Sequence, residues 1–279
     1  MIIESVSNQN FKFINKLKMK KYRDKENSFI IESRKLVDEA IASSADIDFI
    51  FLKEGVDYKT NHKILVFSEA LFNKLSSMAS PDGIGAVIKK KEAGEISSSK
   101  ILLLDGINDP GNLGTMIRSA EAFGFRDIIL MPGTVDIYNE KTLRASMGSV
   151  FRLNIREETH DDIKKLKPSY RVLSADMDGL DIRDYKKDSK IILAIGNEAN
   201  GLSKAMRDIT DDFIKIPMEG EIESLNAAIA SSIIMNRLMW WFGKTLIILI
   251  QQKRDVESLL SQDWGYSPMN FEMNLVVDT

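Results

Sequence analysis

The chain reads as an α/β protein in two parts: a small mixed domain, then a larger one on a mostly parallel sheet. Three observations predict this. Beyond residue 100, short apolar runs alternate with stretches of helical period, the pattern of parallel strands covered on both faces. Before residue 90, shorter runs of both kinds occur in mixed order. Between them lies KEAGEISSSK at 91–100, polar with a serine run, which reads as a linker. The total of 279 residues suits two domains.

In the first part, Phe29, Ile30 and Ile31 form a strand, and Leu36, Val37, Ala40 and Ile41 then fall at helical spacing. Strands follow at 47–52, 64–67 and 84–88, with a helix at 69–75. In the second part, strands are predicted at 101–104, 127–131, 172–175, 191–195 and 213–216. Helices are predicted at 112–122, 140–146, 161–167, 203–208 and 224–238. The last places Leu225, Ala228, Ile229, Ser232 and Ile233 on one stripe whose small residues admit a close neighbour. No internal repeat is visible.

Composition narrows the chemistry. With 44% hydrophobic and 28% charged residues, the chain has the balance of an ordinary globular protein. The absence of cysteine excludes a disulfide framework, a thiol nucleophile and a cysteine metal site, and it fits a reducing cytoplasm. His62 and His160 lack ligand-like spacing and read as surface residues, so no metal is expected. No secretory signal is visible, and the apolar run at 238–250 contains Lys244 and is too short to span a bilayer, so no membrane partner is expected either. Net charge is −3, yet residues 10–25 carry Lys12, Lys16, Lys18, Lys20, Lys21, Arg23 and Lys25 against Asp24 alone. A basic patch on an acidic body has the form of a phosphate-binding surface. A solvated helix face has the same composition.

Three segments carry the chemistry. The stretch DGINDPGNLGTMIRSAEAFGF, 105–125, follows an apolar strand with a Gly/Pro/Asn loop and then a helix bearing Arg118, six residues after Asn112. Such a joint brings bare backbone to a phosphate-bearing ligand at a strand's C-terminal end. In IILAIGNEANGLS, 191–203, a strand ends at Gly196, with Glu198 a lone carboxylate and Gly201 beyond it. In IKIPMEGEIESLNAAIASSIIM, 214–235, a strand ends at Ile216, Pro217 and Met218, Ser224 reads as an N-cap, and Asn226 falls in the first helical turn. Each segment alone also fits a plain turn or cap. All three follow strands of one sheet, and loops at the same sheet end can share one pocket.

The residues DPGNLGTMIRSAEAFGF, AIGNEANGLS and IPMEGEIESLNAAIA resemble, in order and separation, the three motifs of the SpoU (TrmH-type) RNA 2′-O-ribose methyltransferases. The resemblance covers about 101–235 and extends to RASMGSVFRL at 144–153. More weakly, KKYRDKENSFIIES resembles the N-terminal substrate-binding domain of two-domain members. It implies a SPOUT-type α/β knot, with a C-terminal trefoil, and a smaller L30e-like α/β domain. The implied division is 1–90 for RNA binding, 91–100 as linker, 101–237 as methyltransferase and 238–279 as an atypical extension. It also implies S-adenosylmethionine as cofactor, held by Gly196, Ile216, Leu225, Met218 and Gly201. Catalysis and substrate positioning fall on Arg118, Asn112, Glu198, Ser224 and Asn226. RNA contacts fall on Lys12, Lys16, Lys20, Lys21, Arg23 and Arg144. A homodimer and a cytoplasmic location complete the expectation. The separate N-terminal domain favours ribosomal over transfer RNA, by family analogy.

A 2′-hydroxyl must lose its proton as it attacks. In the family the motif-one arginine, here Arg118, is the proposed activator, yet a guanidinium keeps its proton at ordinary pH. Its expected role is a bidentate grip on the adjacent RNA phosphate, with that phosphate or Glu198 accepting the proton. Three departures stand out. Ser33 takes the place of a glycine, Ile137 and Glu140 replace prolines and predict a looser loop, and the chain continues past Met235 through Trp240 and Trp241. Those tryptophans need burial, for which a dimer interface is one place. Two rivals remain. One is an RNA-binding factor of the same fold without activity, disfavoured by the five polar residues. The other is a dinucleotide enzyme, disfavoured because the first loop lacks G-x-G-x-x-G spacing.

Overall fold

The computed structural model describes residues 2–239 except 187 and 223; the expectations for Trp240, Trp241 and the rest of the extension lie outside them. The N-terminal part begins with β1 (Ile2–Ile3), α1 (Gln9–Leu17) and α2 (Lys20–Glu26). The basic segment therefore folds as two helices. Asn8 caps the first, and Phe11, Ile14 and Leu17 are its buried face. Asn27, in the left-handed region at φ 48°, ends the second. Then come β2 (Ser28–Glu32), α3 (Arg34–Ala42), β3 (Ile47–Lys53), β4 (Ile64–Phe67), α4 (Glu69–Leu75) and β5 (Ile84–Lys89). The sheet order is β1-β4-β3-β5-β2, parallel from β1 to β3 and antiparallel at β5. Ser33, between β2 and α3, sits at φ 103° and accepts the Leu36 amide at 3.3 Å.

The second part holds β6 (Lys100–Asp105), α5 (Pro110–Ala122), β7 (Asp127–Leu130), α6 (Glu140–Ser146), α7 (Ser149–Arg152) and β8 (Asn154–Glu157). It continues with α8 (His160–Leu166), β9 (Arg171–Asp181), β10 (Ile191–Gly196), α9 (Lys204–Ile209), β11 (Asp212–Lys215) and α10 (Ala227–Leu238). All neighbours are parallel in the order β11-β9-β10-β6-β7-β8. Strand β8 is absent from the sequence expectation, because its NIRE has a single apolar side chain. Strand β9 runs past residue 175 because its pairing with β11 jumps from Ser174 to Leu180, leaving a polar bulge between.

The two sheets share a core. Phe29, Leu36 and Ile84 belong to the same buried cluster as Leu104, Met116 and Val150. At the junction the Phe29 ring lies 4.4 Å from Tyr138 and 6.5 Å from Phe151, centroid to centroid. Residues 91–99 carry no helix or strand, yet they are tied down. The Gly94 amide donates to Asn154 Oδ1 at 2.9 Å and the Ser98 amide to Asp127 Oδ2 at 2.7 Å. The loop at 134–139 corrects one expectation. It is pinned without its prolines, since Ile137 is buried, the Thr134 hydroxyl donates to Leu104 O and the Val135 amide to Ile107 O. No helix among the described residues is long and apolar enough to cross a membrane.

Candidate active site

Strands β6, β10 and β11 deliver the three loops that the sequence singled out to one end of the sheet. After β6, Asp109 caps α5 by accepting the Asn112 amide at 2.8 Å, and Pro110 occupies the first turn. Lys141 Nζ bonds the other Asp109 oxygen at 2.8 Å. These bonds, that from Lys141 foremost, hold the Asp109 carboxyl below its usual range. Farther along α5, a Cβ on Gly114 would stand 2.5 Å from Ala145 Cβ and from Thr142 O, so α6 crosses there at backbone contact.

After β10 the chain doubles back. Asn197 and Gly201 exchange both backbone hydrogen bonds at 2.9 Å, and Gly201 adopts φ 65°. A Cβ on Gly196 would lie 2.4 Å from the Gly201 carbonyl carbon, which excludes every side chain. Two residues without a sequence assignment fasten this loop. Asn197 Nδ2 donates to Gly106 O at 2.7 Å, and buried Asp105 accepts the Ser203 amide at 2.7 Å. Their signal was the position of a short polar side chain at each strand end.

After β11 the loop reaches α10, which starts at Ala227 rather than 224. The N-cap is Asn226, not Ser224: its Oδ1 accepts the amides of Ala228 and Ile229 at 2.9 and 3.2 Å. The Asn226 Nδ2 meanwhile donates to Asn112 Oδ1 at 3.1 Å, and Asn112 Nδ2 donates to Glu198 Oε1 at 2.9 Å. One residue from each loop thus forms a continuous relay, Asn226 to Asn112 to Glu198.

The other candidate residues stand as follows. Ser224 is exposed beside the relay with no hydrogen bond to it. Arg118 lies roughly 9 Å along α5 from Asn112, at about 1.5 Å per residue. It is exposed, has no hydrogen-bond partner among the described residues, and lines an open cavity together with Lys35 and Glu39 of α3. Ile216 and Leu225 are half-buried, Gly201 is exposed and Met218 keeps 40% of its surface. Side-chain-free backbone at Gly196 and Gly201 and apolar side chains at Ile216, Met218 and Leu225, on loops at the same end of the sheet, have the mixed character of a small-ligand lining.

The basic segment divides. Lys12, Lys16, Lys20 and Lys21 are exposed. Arg23 is a correction: only 6% exposed, it pairs with Asp136 Oδ2 at 2.5 Å and donates to Leu17 O and Lys18 O. A guanidinium so consumed has no donor face for RNA, and it ties α2 to the second part of the chain. Arg144 is half-buried and donates to Ser77 Oγ at 3.3 Å, across the same junction.

Comparison with known proteins adds a second line of support. Residues 99–236 match the SpoU rRNA Methylase family, and residues 8–86 match an MRM3-like substrate binding domain. The 23S rRNA (guanosine(2553)-2′-O)-methyltransferase RlmP of Bacillus subtilis (strain 168) is 35% identical over 85% of this chain and 98% of its own. An AdoMet-bound rRNA methyltransferase from Sinorhizobium meliloti superposes with a TM-score of 0.75 at 28% identity, over 85% of this chain and 97% of its own. The SpoU methyltransferase AviRb from Streptomyces viridochromogenes shares the fold, with a TM-score of 0.76 at 23% identity over 83% of this chain and 97% of its own.

Proposed function

This chain belongs to the SpoU family of RNA 2′-O-ribose methyltransferases, and we propose that within it the chain methylates a guanosine ribose of 23S ribosomal RNA. The relative named for guanosine 2553 supports that target, being similar over nearly its whole length. The observation that carries the chemistry is the relay joining Glu198, Asn112 and Asn226, one residue from each motif.

S-adenosylmethionine supplies an activated methyl group on sulfur. Bare backbone at Gly196 and Gly201, with Ile216, Met218 and Leu225, would hold it. The chain's own residues do the rest. Asn112 is locked by Asn226 and in turn fixes one oxygen of Glu198, which leaves the other without a hydrogen-bond partner among the described residues to accept the 2′-hydroxyl proton. Ser224 positions the ribose. Arg118, always charged, grips the flanking phosphate through two parallel N–H bonds. Positioning of this kind supplies several kcal/mol of the barrier. Exposed Lys12, Lys16, Lys20 and Lys21 add affinity for the RNA backbone that weakens with salt. Arg144 adds to it at the junction.

The same proposal includes the trefoil threading of the family, a domain division near 91–100 between the two matched regions, and a cytoplasmic location. It also includes a homodimer through α10, whose Ile229 and Ile233 keep 54% and 41% of their surface.

The test is methyl transfer from labelled S-adenosylmethionine to 23S RNA lacking the modification, with the site mapped. Methyl at the equivalent guanosine ribose is expected. Label in transfer RNA instead would move the substrate, and no label in any RNA would mark an inactive binding factor. Arg118→Lys should lose at least tenfold in kcat; near-full turnover would show that bidentate geometry is not needed.

A further inference from the structure

Between α3 and α5 lies an open cavity of about 330 Å³ lined by Lys35, Glu39, Arg118, Glu121, Ser149 and Arg152. Its walls come from both parts of the chain, α3 from the first and α5 from the second. Its charges are sorted. Arg152 binds Glu121 Oε1 at 2.5 Å and Glu39 Oε2 at 2.7 Å, so one cation occupies both acids. The Glu121 carboxyl is held below its usual range, chiefly by that hydrogen bond, and remains ionised at neutral pH. Lys35 and Arg118 have no hydrogen-bond or ion-pair partner among the described residues, and both are exposed. Exposed Arg126 adds a further positive charge beside Glu121. The lining therefore carries three cations, Lys35, Arg118 and Arg152, against two carboxylates, a net charge of +1, with Lys35 on α3 and Arg118 on α5 left unpartnered.

We infer that this cleft carries the RNA strand to the relay, with Lys35 holding the phosphate next to the one gripped by Arg118. This rests on the reading of Arg118 given above. The N-terminal part then does more than add distant affinity: one of its side chains touches the strand beside the reacting nucleotide. A nucleic-acid backbone presents successive phosphates, one for each of the two unpartnered cations that line the cavity from separate elements. Lys35 is a point charge without the planar fork of Arg118, so its contact carries affinity and no base preference.

The test uses the full chain with an unmodified 23S RNA transcript and S-adenosylmethionine, comparing wild type, Lys35→Ala, Lys35→Glu and a control, Lys164→Glu on α8. Lys35→Glu should raise the KM for RNA about tenfold, with kcat within about twofold and unchanged affinity for S-adenosylmethionine. The log–log salt dependence of RNA binding should become shallower by about 0.7, the value of one single-strand phosphate contact. Lys35→Ala should show the same change in slope with a smaller rise in KM. The inference is overturned if Lys35→Glu binds RNA like wild type, or if Lys164→Glu weakens binding equally. It is overturned too if kcat falls while KM stays. If wild type transfers no methyl group to any RNA yet Lys35→Glu loses binding and slope, the cleft stands and the assigned reaction fails.

Discussion

Ser33 is held at φ 103°, a region that side chains other than glycine rarely adopt, at a strain of order 1–3 kcal/mol. Its hydroxyl recovers part of that by capping α3, and glycine at an N-cap forfeits only a few tenths of a kcal/mol. Ser33→Gly should therefore stabilise the chain by about 1 kcal/mol, read as a higher denaturant midpoint at constant m-value. An unchanged or lower midpoint would mean that the cap outweighs the strain. The sequence displayed Ser33 only as a departure from the family's glycine; the backbone angle gives the reason for that glycine. Tyr138 carries a second residue-scale expectation. Burial, then the nearby Asp136 and Glu157 charges, push its phenol up to about 12. The unfolded chain releases that proton near the ordinary value of 10. The stabilisation is thus complete below about pH 10 and is lost as pH rises through about 12. Tyr138→Phe should flatten the fall in stability across that window, and an equally steep fall would assign it to other groups.

Among the elements, the turn after β10 is the most constrained. Gly196 has no room for a Cβ against the Gly201 carbonyl carbon at 2.4 Å. Gly196→Ala should open the Asn197–Gly201 pair and weaken S-adenosylmethionine at least tenfold by calorimetry, with RNA binding retained. Full cofactor affinity would show that this turn does not hold the cofactor. Elements with strong apolar patterns were legible in advance: α4 and α6 begin and end where their periodicity does, and the apolar runs 101–104 of β6 and 191–195 of β10 are buried throughout. Those decided by polar competition were not. α10 starts three residues late because Asn226 caps the Ala228 and Ile229 amides, and β8 joined the sheet edge on one isoleucine. Of the five polar residues that the motifs singled out, Asn112, Glu198 and Asn226 are hydrogen-bonded to one another while Arg118 and Ser224 are not; which atom bonds which was not legible, because a relay through Asn112 depends on loop conformation.

For the whole molecule, charge misled where burial intervened. Arg23 belongs to a run of surface lysines in the sequence, yet its ion pair with Asp136 has side chains only 7% and 13% exposed. Arg23→Met should cost about 3 kcal/mol, because it leaves Asp136 charged and unpaired. Adding Asp136→Leu should recover much of the loss, and a double variant no better than the single would place the cost elsewhere. RNA affinity should barely change, in contrast to variants at the exposed lysines. The fused core around Phe29, Tyr138 and Phe151 has its own consequence. Heated, the described body should show a single calorimetric endotherm rather than two. An N-terminal part transplanted from a homologue would arrive with the wrong rings at the seam. Exchange of that part therefore requires matching changes in the aromatic face behind it.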